Sequence, residues 1–559
     1  MDAETIHARR WGILGVLMVC LVVVILDNTI LNVALKTIQQ DLSATQSDME
    51  WAINSYTLVF AGLMFTAGVL GDRFGRKRLL LIGMILFGAA SALTAWSDSS
   101  AWLITNRALM GIGAALIQPQ TLSILQNVFE PAERGRAIGI WAGVSGAGIA
   151  LGPVTGGLLL EHFWWGSVFL INVPIALVGA IAIVLVVPES ADPNPKRLDP
   201  LGVVLSIAGL VLLVYGIIKG GEHGEWMTVQ VLGTILGGIA ILALFVWSQW
   251  RSSHPALDVT LFRKPAFSAS TVALALTFFA MMGTTFFLTY YWQVVRGFAP
   301  LKAGLLVVPV SIGMAIMAPR SSKLVERFGA RAVVATGMVV TAGVFLTYTQ
   351  IEQHTPVWAV ELLLLVWGFG GGMVMAPATT VTMSAVPREK AGVGSAVTNT
   401  VRMVGGSLGV AILGSVLSAV YRGRLDGAVD VLPQGLREEA SESIGGTVGA
   451  IAKVAGQVQS GALPKSAAAP LPTLADTANS AFLHAMHTAV LISVGAALVA
   501  AIIARVWLPG KMSAQVTVTA PVAGAESTPA PVAVPAARVD GEADADGTHE
   551  TAESGVIGR

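Results

Sequence analysis

Apolar positions run along this chain in long unbroken stretches separated by short charged segments. The stretches fall near 13–35, 51–70, 79–97, 101–125, 137–160, 167–187, 200–218, 229–249, 266–291, 303–318, 333–350, 358–380, 394–420 and 484–507. Most approach the roughly 20 residues with which a helix crosses the hydrocarbon of a bilayer. Strands of a lipid-embedded barrel would alternate apolar and polar residues with period two. These runs are continuous and rich in Leu, Val, Ala and Gly, so they predict helices. The count is fourteen, or twelve to thirteen if runs interrupted by Gly or Pro are merged. The first stretch is too long for a signal-peptide core and has no small-residue cleavage site, so it is read as a retained span.

The charged positions give these spans a direction. With the first residues inside, the inner loops collect Arg9 and Arg10, then Arg73, Arg76, Lys77 and Arg78, then Arg134 and Arg136, Lys196 and Arg197, Arg251, Arg263 and Lys264. The later ones hold Arg320, Lys323, Arg327 and Arg331, then Arg388 and Lys390. The early outer loops hold almost no basic residues (Lys36, Lys219, Arg296 and Lys302), an asymmetry that orients membrane helices and places both termini inside. Composition agrees: 54% of the 559 residues are hydrophobic and only 12% charged, against about 25% charged in soluble domains. Thirty-four basic residues balance thirty-four acidic ones, so no net field attracts nucleic acid. A lone cysteine, Cys20, leaves no internal disulfide and no cysteine metal cluster. A secreted disulfide scaffold, a disordered regulator and a typical soluble enzyme are excluded. Two segments stand outside the spans: a polar Gly/Ala/Ser-rich outer loop at 421–480, and a tail over 511–559 whose Ala, Pro and acidic content cannot bury a core and is expected to be a disordered cytoplasmic segment.

The chain repeats itself. GDRFGRKRLLLIGM (71–84) aligns without gaps on VERFGARAVVATGM (325–338), and Pro119 in the fourth span has a counterpart in Pro377 of the twelfth. An offset near 255 residues marks two related halves, an architecture of transporters whose substrate site lies between the halves near mid-membrane. Eight spans per offset imply two extra helices between the halves, with the seventh and eighth as candidates. The expected division is a six-helix bundle over 1–190, two inserted helices over 191–255, and a second six-helix bundle over 256–510.

At these residues the sequence resembles the major facilitator superfamily, and within it the fourteen-span drug:proton antiporters. GVLGDRFGRKRLL (68–80) fits the pattern between the second and third spans, and LDNTILNVAL (26–35) fits the first-span motif, with Lys36 where Pro is usual. ITNRALMGIGAA (104–115) fits a fourth-span motif built on an arginine, and GAGIALGPVTGG (146–157) fits the fifth-span motif G-x-x-x-G-P-x-x-G-G. The resemblance covers roughly residues 10–510. It implies an all-α major facilitator fold of two six-helix bundles plus two helices in a bacterial cytoplasmic membrane. It also implies export of drugs or antibiotics by alternating access, with no cofactor beyond the proton gradient.

Several residues carry the chemistry. Asp27 sits two-thirds of the way through an apolar helix, where an ionised carboxylate is costly; either neighbours such as Asn28 or Thr29 satisfy it, or it loads and releases a proton as its surroundings alternate. Arg107 lies at similar depth, both being roughly 9–12 Å from the outer end of their helices at about 1.5 Å per residue. It is the candidate counter-ion, and the resemblance assigns it a part in proton transfer; snorkelling is the alternative. Asp72, Arg73, Gly75, Arg76 and Lys77 form either a positive-inside anchor or a gate latch. In the latch, Asp72 faces a helix N-terminus of the other half and Arg73 and Arg76 pair with acids such as Glu133. Gly148, Gly152, Pro153, Gly156 and Gly157 offer close helix packing and a kink, which the resemblance reads as a hinge and seal favouring export. Arg402, inside the thirteenth span, is assigned to gating without an obvious acid; Asp72 and Glu389 are candidates. Asn54, Tyr56, Gln118, Phe286, Phe287, Tyr290 and Tyr291 are candidate lining for a drug cavity, the aromatic cluster otherwise being an interfacial belt.

No G-x-x-x-x-G-K-[ST] motif is present, nor a zinc-protease helix or serine-hydrolase elbow. Transport without an ATPase draws on an ion gradient, and no enzyme is expected. The expected partners are a small-molecule drug, protons and lipid, with no nucleic acid, no metal and a monomeric state. The rival readings are a proton-linked importer on the same fold and, from another class, a non-transporting membrane sensor.

Overall fold

The computed structural model describes residues 3–191, 199–223, 226–252, 259–384, 386 and 391–510, without most side chains between 131 and 150 and those of 65 and 391–396. Lys196, Arg197, Arg388, Glu389, Lys390, the boundary near 255 and the tail from 511 lie outside the described residues, as do the side chains of Arg134 and Arg136. The described chain is helical, as a backbone in lipid must be to satisfy its own polar groups. The principal helices are α1 (Ala3–Asp41), α2 (Gln46–Phe74), α3 (Arg76–Ala95), α4 (Ser100–Val128), α5 (Pro131–His162), α6 (Asn172–Val186), α7 (Pro200–His223) and α8 (Val229–Arg251). They continue with α9 (Pro265–Tyr290), α10 (Val308–Phe328), α11 (Ala330–Tyr348), α12 (Val357–Ser384), α13 (Ala391–Leu425), α14 (Gln434–Glu442), α15 (Ile444–Gln459) and α16 (Leu471–Trp507). Twelve helical segments among the described residues are long and apolar enough to cross a membrane, thirteen with the bent α2. The 32-residue α5, outside that count, covers the expected fifth span.

Local sequence sets the helix ends. Thr45 caps α2 with a reciprocal box: its hydroxyl accepts from Asp48 N and the Asp48 carboxylate accepts from Thr45 N, both at 3.0 Å. Between α2 and α3 the chain turns at Gly75 with φ 107°, and between α10 and α11 at Gly329 with φ 85°, backbone that a side chain would strain. The two turns are anchored alike, which gives the sequence repeat a physical form. Past α6, Ser190 O accepts from Arg76 N (2.9 Å) and the Glu189 carboxylate from Lys77 N (3.1 Å). Past α16, Pro509 O accepts from Arg331 N (3.1 Å) and Leu508 O from Arg331 Nε (2.8 Å). In each half the chain beyond the last span ties down the start of the third.

Helices α1–α6 pack on one another, and so do α9–α13 with α16. The halves meet along two seams. In one, α2 packs on α13; in the other, α5 packs on α10 and on a short helix, Pro300–Leu305. The inserted pair attaches beside the first seam: α7 packs against both α2 and α13, where Ser415 Oγ donates to Ile217 O at 3.0 Å. Helix α8 packs chiefly on α7 and leaves Leu236, Ile239, Leu244 and Trp247 exposed, as lipid contact requires. The segment read as a polar loop at 421–480 is largely helical. Its α15 buries Ile444, Thr447, Ala450 and Val454, a spacing of three, three and four that makes one helical face.

Gly75→Ala should lower stability by about 1–3 kcal/mol through backbone strain, since a Cβ there also comes within 2.7 Å of the Glu189 carboxylate. Thermal unfolding of the detergent-solubilised protein should show it, and Gly329→Ala should behave alike.

Candidate functional site

Asp27 on α1 is fully buried in the core of the first half, and its Oδ2 accepts from Arg107 Nη1 of α4 at 2.5 Å. Its other oxygen accepts from Asn172 Nδ2 of α6 at 3.2 Å. Arg107, 1% exposed, also donates through Nε to Ala52 O of α2 (3.1 Å) and lies 4.4 Å from the Tyr56 ring centroid. Asn172 Nδ2 reaches Ser91 Oγ of α3 (3.1 Å), which donates to Phe169 O (2.8 Å). Four helices besides α1 therefore hold one ion pair. An isolated charge at this depth would be prohibitive; two opposite charges with every oxygen hydrogen-bonded are tolerated. The sequence points to Asp27 and Arg107 because each interrupts an apolar run. Asn172 and Ser91 escape notice because neutral polar residues are common in such helices. Tyr56, considered for the drug cavity, is instead buried against the guanidinium.

Two residues beyond Asp27, Thr29 donates to Gly148 O of α5 at 3.4 Å. Gly148, Gly152 and Gly156 lie so close to α1 that a Cβ on each would strike Ile25, Thr29 and Ile30 respectively. The adjoining face of α5 meets the second half: Gly157 abuts the Leu301 backbone, and Gly304 abuts the Pro153 carbonyl. These glycines thus join the acid-bearing helix on one side to the opposing half on the other.

Polar contacts between the halves, among the described residues, lie at mid-depth and toward the end away from the basic loops. Asn54 Oδ1 on α2 accepts from Ser407 Oγ on α13 (2.6 Å). Lys36 Nζ donates to Gln293 O (2.6 Å), and Gln293 Nε2 returns to Val33 O (2.8 Å). Gln39 Nε2 donates to Ser443 Oγ at 3.2 Å. That end is closed. Phe286, Phe287, Tyr290 and Tyr291 are buried close to it rather than forming a lipid-facing belt; Tyr291 Oη donates to Glu352 O at 3.2 Å. Gln118 is half-buried on α4.

The loop motif is arranged differently from the expected latch. Asp72 Oδ1 pairs with Arg76 at 2.7 Å inside its own half, and the N-terminus of α3 receives Glu189 instead. Arg73 is exposed beside Phe74; Lys77 Nζ donates to Val184 O at 2.9 Å. Glu133 does not serve Arg76: Arg10 takes it at 2.7 Å. Arg10 reads in sequence only as a basic anchor, which is why this pairing was not expected. Arg402 donates through Nη2 to Thr379 Oγ1 (2.6 Å) and lies 5.6 Å from the Phe278 ring, with no carboxylate partner among the described residues.

The family model of the Major Facilitator Superfamily matches residues 17–410. The chain belongs to the Major Facilitator Superfamily. It is 35% identical over 506 residues to the tetracenomycin C resistance and export protein of Streptomyces glaucescens, covering 90% of this chain and 92% of that one. It is 36% identical over 475 residues to the multidrug efflux pump LfrA of Mycolicibacterium smegmatis, covering 85% and 91%. A bacterial homologue of the human lysosomal transporter Spinster, solved inward-facing and unoccupied, shares the fold with a TM-score of 0.62 at 17% identity, covering 89% of this chain and 97% of that one. Membership makes this chain a superfamily transporter and not an enzyme, with relatives that are named for drug and antibiotic efflux.

Arg107→Met leaves Asp27 buried beside an apolar side chain and should cost about 3–5 kcal/mol of stability. The double variant Asp27→Asn/Arg107→Met should recover much of that loss, as comparison of unfolding midpoints would show. Gly152→Ala should wedge α5 from α1 and abolish transport while the protein still reaches the membrane; adding Thr29→Ala, which removes the struck hydroxyl, should restore part of the activity in a dye-efflux assay.

Proposed function

We propose that this transporter exports drugs, antibiotics or other apolar small molecules across the bacterial cytoplasmic membrane in exchange for protons. The basic loops then face the cytoplasm, both termini lie inside, and the monomer is the working unit. The observation that carries this reading is the Asp27–Arg107 pair, buried in a half whose partner packs closely at the outer end. Its relatives' names, which include tetracenomycin C export and multidrug efflux, support the direction of transport and the class of cargo.

The geometry supports such an exchange. Protonation of Asp27 removes one side of the ion pair; Arg107 keeps Ala52 O and the Tyr56 ring, while α1 loses its tie to α4. Because Thr29 and its neighbours seat α1 in the glycine face of α5, a shift of α1 is passed through Gly152 to Pro153 and Gly157. From there it reaches the Pro300–Leu305 helix of the other half. One titrating carboxylate thereby biases the seam between halves. In the closed-outside arrangement Asp72 rests on Arg76; its latching contact with the second half belongs to the opposite, outward-facing state. One proton entering down an inside-negative potential of about 100 mV supplies roughly 2.3 kcal/mol, and each pH unit adds about 1.4 kcal/mol, enough for about a hundredfold or greater accumulation of a neutral drug.

In reconstituted vesicles, drug addition should discharge a preset pH gradient, and Asp27→Asn should abolish that discharge while the folded protein stays in the membrane. Normal coupling in the variant would refute the proton role of Asp27.

A further inference from the structure

A second carboxylate is buried far from Asp27. Glu50, one turn into α2, is 2% exposed, and its carboxylate lies where a Cβ on Gly414 of α13 would strike it. It therefore sits in the seam between halves, pressed on the backbone of the opposing one. It lines a small cavity with Gln46, Ser415, Ser418, Arg422 and Glu442. Those residues come from the first half, the second half and the helical segment that follows α13. None of Glu50, Arg422 and Glu442 lacks a partner. Gln46, however, is 4% exposed and its Nε2 has no hydrogen-bond acceptor. A neighbouring cavity shares Gln46 and Ser418 and is lined by Tyr290, whose buried hydroxyl has no partner. Two orphaned polar groups on adjoining cavities are what water fills.

We propose that Glu50, with Glu442 and Arg422, is a proton-sensitive joint of the outer seal, a second titrating site beside Asp27. This rests on the proton-exchange reading and its orientation. The groups facing Glu50 are Arg422 on α13, Glu442 on α14 and Tyr290 on α9. On α7 the nearest lining residue is apolar Ile218, followed in the chain by Lys219, and on α4 Arg107 is committed to Asp27. With both carboxylates ionised the cavity lining carries two negative charges against one positive. Closing the seam buries that imbalance, and uptake of one proton removes it. Protons from outside thus favour closure, so the carrier reseals its outer side after drug has left and a proton has been taken up, the order that exchange demands.

The test reads the seam itself and needs no drug. Ser418→Cys, in a Cys20→Ser background, is labelled from outside in intact cells with a membrane-impermeant maleimide. Labelling is divided by that of Ser460→Cys, an exposed position, which cancels the pH dependence of the thiol and the amount of protein. The ratio should rise about threefold or more as external buffer goes from mildly acid to mildly alkaline, within the roughly tenfold per pH unit that linkage to one proton allows. Glu50→Gln should hold it at the acid value throughout, and Glu50→Asp should keep the rise. A flat ratio in the parent, or a full rise in Glu50→Gln, overturns the proposal. Asp27→Asn shifts the resting balance of the seam but should keep an acid-to-alkaline rise, so failure of the coupling reading in vesicles and failure of this joint register in different assays.

Discussion

The arrangement of the first half follows from one electrostatic constraint: a carboxylate and a guanidinium share the same dry interior and neither tolerates it alone. Asp27 and Arg107 are 2.5 Å apart, and the surrounding helices are placed to complete their hydrogen bonds. Ala52 O and the Tyr56 ring come from α2, and Asn172 from α6. A structure that needs so many elements to satisfy one pair is stiff while the pair is intact and loosened when it is neutralised. Such a device suits a molecule that must occupy two arrangements in turn.

The glycine face of α5 gives that local event reach. Small residues are usually read as allowing helices to approach, and here they do so on two sides at once, toward α1 and toward Pro300–Leu305. A side chain on this face would break either the contact that receives the motion or the one that passes it on. Packing and transmission are thus one physical property of the same residues.

Much of this was legible in the sequence, and what was not has identifiable causes. Hydropathy located the membrane-length helices among the described residues because lipid demands continuous apolar runs, and the 71–84 and 325–338 repeat announced two halves whose anchoring is indeed parallel. Asp27 and Arg107 stood out as charges in apolar surroundings. Glu50 did not: it follows Asp48 and Met49 at the polar edge of its span and reads as an interfacial acid. Burial there comes from α13, some 360 residues away. The motif around Asp72 suggests a reach across halves, whereas in this arrangement Arg76, one turn along, is its partner. The helices within 421–480 were hidden by composition, because Gly, Ala and Ser leave little amplitude in a periodic pattern even where one face is buried.

The inserted pair α7–α8 lies beside only one of the two seams. A hydrophobic compound drifting sideways in the bilayer therefore meets unlike flanks: at α2 and α13 a third helix shields the join, while at α5 and α10 no inserted helix does. Although its halves are related by repetition, only the α2–α13 join is flanked by an inserted helix among the described residues.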